Sequence, residues 1–361
     1  MTELSILRMP AEQLYAEELE AIIGADTNVR PPGWKMSPAA VLLYIIGGKA
    51  GKKNISTKYY GQKRLLEIAL ATLATERGLL LLGVPGTAKT WLSEHLAAAI
   101  SGNSRLMIQG TAGTQEEAIR YGWNYASLLS EGPTENALVK TPVYHAMESG
   151  RIARIEELTR LSSDVQDALI TILSEKTLPI PELNRELRAV QGFNLIATAN
   201  DRDRGVNDLS SALRRRFNTL IMPLPAKLEE EVKIVSARMQ ETMPQLAATI
   251  NKDTLAEINR LVLIFRELRE GISQDGKVKL KSPSSTLSTA EAIAVMQNGI
   301  TLAQFFGNGQ IRVEDLAAGL QGAVIKDPES DKMVWKEYLE LVMKNRESWK
   351  DLYKACRELL D

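Results

Sequence analysis

Residues 77–90 read "RGLLLLGVPGTAKT", an uninterrupted apolar run that ends on a glycine and turns at once into a short loop. Such a run suits a strand buried on both faces, the position strands take in a parallel sheet covered by helices. The loop follows G-x-x-x-x-G-K-[ST] at every position but one, because Ala88 stands where the last glycine belongs. Strand, loop and helix in that order make a phosphate cradle, since N–H groups at a helix start point at an anion. Gly83 and Gly86 give the turn its freedom, with Pro85 and Thr87 beside them and Trp91 following in the helix. Lys89 is the candidate for the β- and γ-phosphates of a nucleotide, and the Thr90 hydroxyl for Mg2+. Ala88 is expected at the helix entry with negative φ, where a methyl group is tolerated.

Further strands are expected at 105–110, 151–157, 192–200 and 217–225, separated by helical stretches. This alternation predicts an α/β fold with a five-stranded parallel sheet. After Pro225 the pattern becomes helical, as in "KLEEEVKIVSARMQ", "KDTLAEINRLVLIFRELRE", "STAEAIAVMQNGITLAQFF" and "VEDLAAGLQGAVI". The exception is "GISQDGKVKLKSP", whose Asp-Gly suggests a small hairpin, and one last helix is expected near 331–360. The chain therefore divides into an N-terminal helical extension (1–56), a nucleotide-binding α/β core (57–225) and a smaller, mostly helical lid (226–361). Between Lys35 and Arg64 there are seven basic residues and no acidic one. That run reads either as a solvated connector or as a phosphate-facing or intersubunit surface.

A length of 361 residues allows two ordinary cores, and 44 % hydrophobic with 25 % charged residues is a globular balance. The net charge of −1 gives no field for nucleic acid or an anionic membrane. The one cysteine, Cys356, excludes an internal disulfide framework and suits a reducing compartment. The start, "MTELSILRMPAEQ", lacks a basic stretch followed by a long apolar segment, and "AVLLYIIGG" is too short to span a bilayer. A cytoplasmic protein without a membrane span is expected.

What the chain does with a nucleotide depends on downstream residues. "RIARIEELTR" ends a strand on Glu156 and Glu157, one carboxylate for the metal shell and one to orient water; strand alternation would send them to different partners. Arg154, inside that strand, is unexpected at a central buried position. Asn200 closes "NLIATAN", where an amide reaches a γ-phosphate or a water. "SALRRRF" puts Arg214, Arg215 and Arg216 before the fifth strand. An arginine there suits a finger inserted into a neighbour's site, though arginine runs are often only solvated faces.

With these elements in order, residues 57–325 resemble an AAA+ ATPase of the MoxR branch. "YYGQKRLLEIAL" resembles the element before the loop, which implies Tyr60 and Gly61 beside adenine. "GVPGTAKT" is similar to the form with Ala before Lys in that branch. "ILSEKTLPIPELNRELRAVQGFNLIATAN" resembles the hairpin before sensor 1, with Asn200 as the sensor. "SALRRRF" resembles the arginine-finger segment, Arg216 matching best and Arg215 next. "IRVEDLAAGL" resembles the closing lid helix. Two positions depart: Glu156 replaces the usual Asp of the metal-side acid, and "SPSSTLSTAEAI" lacks the lid arginine, for which Lys281 has no planar fork. "RYGWNYASLLSEGPTENALVK" lies where the branch inserts a helical element. Trp123 and Tyr125 there are either core aromatics or client contacts. The resemblance implies a homo-oligomeric ring, commonly hexameric, that hydrolyses ATP with Mg2+ and remodels a partner carrying a von Willebrand factor A domain. The alternative is a nucleotide-dependent scaffold that hydrolyses slowly or not at all. A small-molecule kinase or a nucleic-acid helicase fits poorly, because no acceptor site and no basic-aromatic stripe are visible.

Overall fold

The four leucines of the loop-bearing strand divide between two cores. In the computed structural model, which describes residues 7–200, 207–242 and 252–360, Leu79 and Leu81 point into one apolar cluster and Leu80 into another. That period-2 split is what an apolar run becomes when both faces of a sheet are covered. The strands are β1 (Gly78–Gly83), β2 (Met107–Gln109), β3 (Ile152–Glu156), β4 (Asn194–Asn200) and β5 (Phe217–Ile221). They pair in parallel in the order β5-β1-β4-β3-β2. All five expected strands are present. The register sets Asn200 beside Gly83 and Gln109 beside Glu156, so the carboxyl ends of the strands finish together.

The chain forms two compact units, one running up to Val84 and from Ala88 to Met222, the other made of Pro85–Thr87 and the chain from Pro223 onward. Within the stretch expected as an extension, residues from Leu19 to Ile55 contribute to the first unit's core. Leu19, Ile22, Trp34, Val41, Tyr44 and Ile45 share one buried cluster with Leu79, Leu81, Leu92 and Leu96. Most side chains of the basic run are exposed, as a solvated reading expects, but Lys58 is 5 % exposed. Its ammonium bonds the Glu18 carboxylate and lies 4.3 Å from the Tyr15 ring centre and 4.6 Å from that of Tyr44. A buried lysine is tolerable there because a carboxylate and two π-faces replace its water.

The inserted element is a helix, Tyr125–Glu131, between the paired strands Tyr121–Trp123 and Leu138–Lys140. Trp123 packs half-buried against the core, as the core reading expects, whereas Tyr125 is 75 % exposed. A second hairpin joins Thr177–Ile180 to Arg185–Arg188, the segment likened to the one before sensor 1.

The second unit is helical and has its own core, with Phe265, Trp335 and Tyr338 fully buried. Its expected hairpin is reduced to a single antiparallel bridge, Ile272 with Lys279. The expected last helix is broken into Ser330–Leu341 and Lys350–Glu358. Between them Arg346 turns extended, pairs with buried Glu267 and stacks 4.4 Å from the Trp349 ring. Tyr338 donates to the same carboxylate at 2.6 Å. Satisfying a buried charge outweighs continuing a helix by a few more residues. Among the described residues no helix is long and apolar enough to cross a membrane.

Because Ile22 is 1 % exposed within the shared core, Ile22→Ala should cost the first unit about 2–5 kcal/mol. This would be read as a lower urea midpoint; an unchanged midpoint would place the N-terminal residues outside the cooperative unit.

Candidate active site

The helix Lys89–Ser101 starts directly after the loop, so its first-turn N–H groups have no acceptor within the helix and face the phosphate position. Gly86 has φ +79°, a backbone region that favours glycine. Ala88 differs from expectation: its φ is +63° and ψ +26°, a left-handed conformation. The methyl group is therefore not free of cost, and residues held this way cluster at ligand clamps. The Lys89 ammonium donates to the carbonyls of Gly83 at 2.8 Å and Val84 at 2.9 Å, which preset it over the loop. Two residues on, the Trp91 indole N–H donates to the Lys58 carbonyl at 2.7 Å. That bond ties the stretch carrying Tyr60 and Gly61 to the loop's helix. On the same helix His95 is fully buried and shares a 2.8 Å hydrogen bond with the Tyr44 hydroxyl, whose titration burial pushes well above its usual range.

Glu156 is 1 % exposed and its carboxylate accepts four hydrogen bonds. Ser93 Oγ at 2.6 Å and Arg154 Nη2 at 2.7 Å reach Oε1; Thr90 Oγ1 and Thr198 Oγ1, both at 2.7 Å, reach Oε2. The sequence singled out Thr90 and Glu156, and the fold brings them together. Ser93 and Thr198 were missed, yet both had a signal. Ser93 is three residues after Thr90 on one helix face, and Thr198 lies two before Asn200 on one strand face. Arg154, which the sequence left unexplained, supplies the charge that a buried carboxylate needs.

Glu157 leaves the sheet rather than continuing it, with φ +57° and ψ +47°. The two adjacent glutamates thus diverge through a left-handed backbone, not through strand alternation. Glu157 N–H donates to Thr198 Oγ1 at 3.1 Å, which fixes the turn. Its carboxylate accepts from Asn200 Nδ2 at 3.0 and 3.2 Å and pairs with Arg160 at 3.3 Å. Asn200 and Glu157 therefore form one polar pair at the ends of β4 and β3.

Among the described residues no three His, Cys, Asp or Glu side chains converge as a metal cluster. The protein's share of a Mg2+ shell would be the Thr90 hydroxyl and the Glu156 carboxylate, hard oxygen donors already in contact. Mg2+ commonly binds through one or two such groups plus nucleotide phosphates, so the donor set fits.

The arginine segment separates its members. Arg216 bonds Ser174 Oγ and donates to the Ala212 carbonyl at 2.5 Å. Arg214 and Arg215 are exposed and line an open depression of about 430 Å3 with Asp208, Leu209 and Ser211.

Residues 78–217 match the model of the AAA domain, dynein-related subfamily, and residues 229–361 that of the YehL-like AAA+ ATPase C-terminal domain. The chain is 40 % identical over 358 residues to the protein YehL of Escherichia coli (strain K12), covering 98 % of this chain and 97 % of that one. It is 26 % identical over 167 residues to a protein of Staphylococcus aureus (strain USA300), covering 46 % of this chain and 60 % of that one. Among solved structures it is similar to NtrX of Brucella abortus crystallised with ATP. The TM-score is 0.47 at 13 % identity, covering 84 % of this chain and 69 % of that one.

Left-handed alanine costs about 1–2 kcal/mol, of which glycine's looser unfolded chain returns about 0.4–1. Ala88→Gly should therefore stabilise the protein by about 0.5–1 kcal/mol in chemical denaturation and keep nucleotide affinity. Ala88→Val should weaken it, and a stable, tightly binding valine variant would contradict the left-handed assignment.

Proposed function

The chain belongs to the YehL-like AAA+ ATPases, and from that premise we propose that it binds and hydrolyses ATP as a MoxR-type ring machine that remodels a partner protein. The observation that carries the proposal is the meeting of three contacts at the carboxyl ends of the strands. These are Lys89 over the loop, Thr90 on Glu156, and Glu157 on Asn200.

In this reading Gly83, Pro85, Gly86, Thr87 and Ala88 shape the cradle, and Lys89 exchanges its two carbonyl partners for phosphate oxygens. Tyr60, Gly61 and Trp91 flank the base. Mg2+, when bound with ATP, would supply neutralisation of phosphate charge there. Thr90 and Glu156 hold oxygen donors toward it. Glu157 orients and polarises the attacking water, and Asn200, bonded to that carboxylate, aligns it with the γ-phosphate. Arg215 is a better trans-acting group than Arg216, whose guanidinium is already engaged within its own subunit. A neighbour's arginine would stabilise charge developing on the transferred phosphoryl group. Ring closure on ATP and release on hydrolysis would then drive work on a partner, for which the family resemblance suggests a von Willebrand factor A domain.

A second reading, a slowly hydrolysing scaffold, has one observation in its favour: Glu156 is already ion-paired with Arg154. ATP turnover per subunit over a range of protein concentrations separates the two. For the machine it should rise with concentration, as sites are completed by neighbours, and Arg215→Ala should flatten it without loss of ATP binding. A rate near zero at every concentration, with ATP bound, favours the scaffold. Glu157→Gln should cut turnover by about 100-fold or more while retaining ATP; full turnover in that variant would remove Glu157 from the role given to it.

A further inference from the structure

Arg154 is a cation built into the strand that carries the metal-side acid. Residues 154 and 156 share a face of β3 because side chains alternate along a strand, and that face meets the helix Lys89–Ser101. Arg154 is 4 % exposed, and its whole fork is used. Nε donates to Ser93 Oγ at 3.1 Å and Nη1 to the Ser104 carbonyl at 2.8 Å. Nη2 donates to the Thr90 carbonyl at 3.2 Å and to Glu156 Oε1 at 2.7 Å. A permanently charged group held at four points is fixed beside Glu156.

Resting on the reading of Glu156 as the metal-side carboxylate, we propose that Arg154 is a positioning residue that holds Glu156 against divalent cations, so that a metal ion enters only together with nucleotide phosphates. Before a nucleotide arrives, the carboxylate charge is matched by the guanidinium, and Oε1 is taken by Arg154 and Ser93. Oε2 faces Thr90, where a metal would sit, but the pair as a whole offers no net negative charge. A divalent ion placed there alone meets the Arg154 charge across a few ångströms of low-dielectric interior. The several negative charges of a polyphosphate reverse that balance. The same contacts explain why the longer Glu stands in place of Asp: its extra methylene brings one carboxylate to Arg154, Ser93, Thr90 and Thr198 together. A purely structural staple would affect stability and leave metal binding alone.

The test is binding of Mn2+ to the full chain, read as loss of the free-ion EPR signal, without nucleotide and with ADP. The unmodified protein should bind Mn2+ at least about tenfold more weakly without ADP than with it. Arg154→Gln should tighten nucleotide-free binding at least about tenfold, and adding Glu156→Gln should abolish that gain. Arg154→Lys keeps the charge in a pocket that still provides oxygen partners, and should bind as the unmodified protein does. Mn2+ binding by the unmodified protein that is measurable and equally tight with and without ADP would overturn the proposal. So would a folded Arg154→Gln variant with no gain. If that variant does not fold, a tenfold gain in Arg154→Lys would overturn it, and wild-type-like binding there would uphold it. Failure of the underlying reading looks different: ADP would then bring no Mn2+ site to the unmodified protein at all.

Discussion

A carboxylate as buried as that of Glu156 must be matched by charge and hydrogen bonds, and the elements of the first unit that meet it are placed by that demand. Four donors reach it: from its own strand, twice from the helix after the loop, and from β4. Breaking one partner of such a buried set typically costs several kcal/mol, so the set resists independent movement of its parts. The loop's helix is thereby fixed against the sheet at its first turn, where the phosphate position lies. Arg154 extends the connection to the Ser104 carbonyl before β2.

Two residues beside this network hold left-handed backbone without being glycine. Ala88 turns the chain into the helix, and Glu157 turns it out of the sheet. Each conformation is unfavourable for its residue and persists because the surroundings determine it. For Glu157 the Thr198 hydroxyl, accepting its N–H while donating to Glu156, fixes the geometry of both acids through one atom. The two glutamates, adjacent in sequence, consequently serve different partners. A charge-matched pocket lies on one side and a half-exposed carboxylate bonded to Asn200 on the other.

The N-terminal residues extend this rigidity outward. Tyr15, Tyr44, Trp91 and His95 form a contiguous set of ring contacts, with the Trp91 and His95 centres 4.2 Å apart. Lys58 sits over two of those rings and accepts the Trp91 N–H at its carbonyl. The loop's helix is thus held from the sheet side by Glu156 and Arg154, and from the other by aromatic packing that starts near residue 15. The second unit solves a similar problem with Glu231 and Glu267, each buried and each answered by arginine.

The sequence alone determined the strand set, the loop, the helical second unit and most of the candidate site residues. Those rest on local signals: an apolar run, a fixed glycine spacing, a helical period, a carboxylate pair at a strand end. It also carried Thr90, Glu156, Glu157 and Asn200 as separate candidates. Only the tertiary structure decided which of them touch, because strand order 5-1-4-3-2 sets β1, β4 and β3 side by side although they are far apart in the chain. It alone decided the sign of φ at Ala88 and Glu157, since no local preference of alanine or glutamate favours a left-handed turn. It also buried one lysine, Lys58, of an otherwise largely solvated basic run, and broke a continuous helical pattern into two helices at Arg346. In both, a buried charge took partners distant in sequence, an energy that local periodicity does not encode. Arg154 is the clearest instance: read along the chain it is an arginine misplaced in a buried strand, and in the fold it is the counter-charge of Glu156.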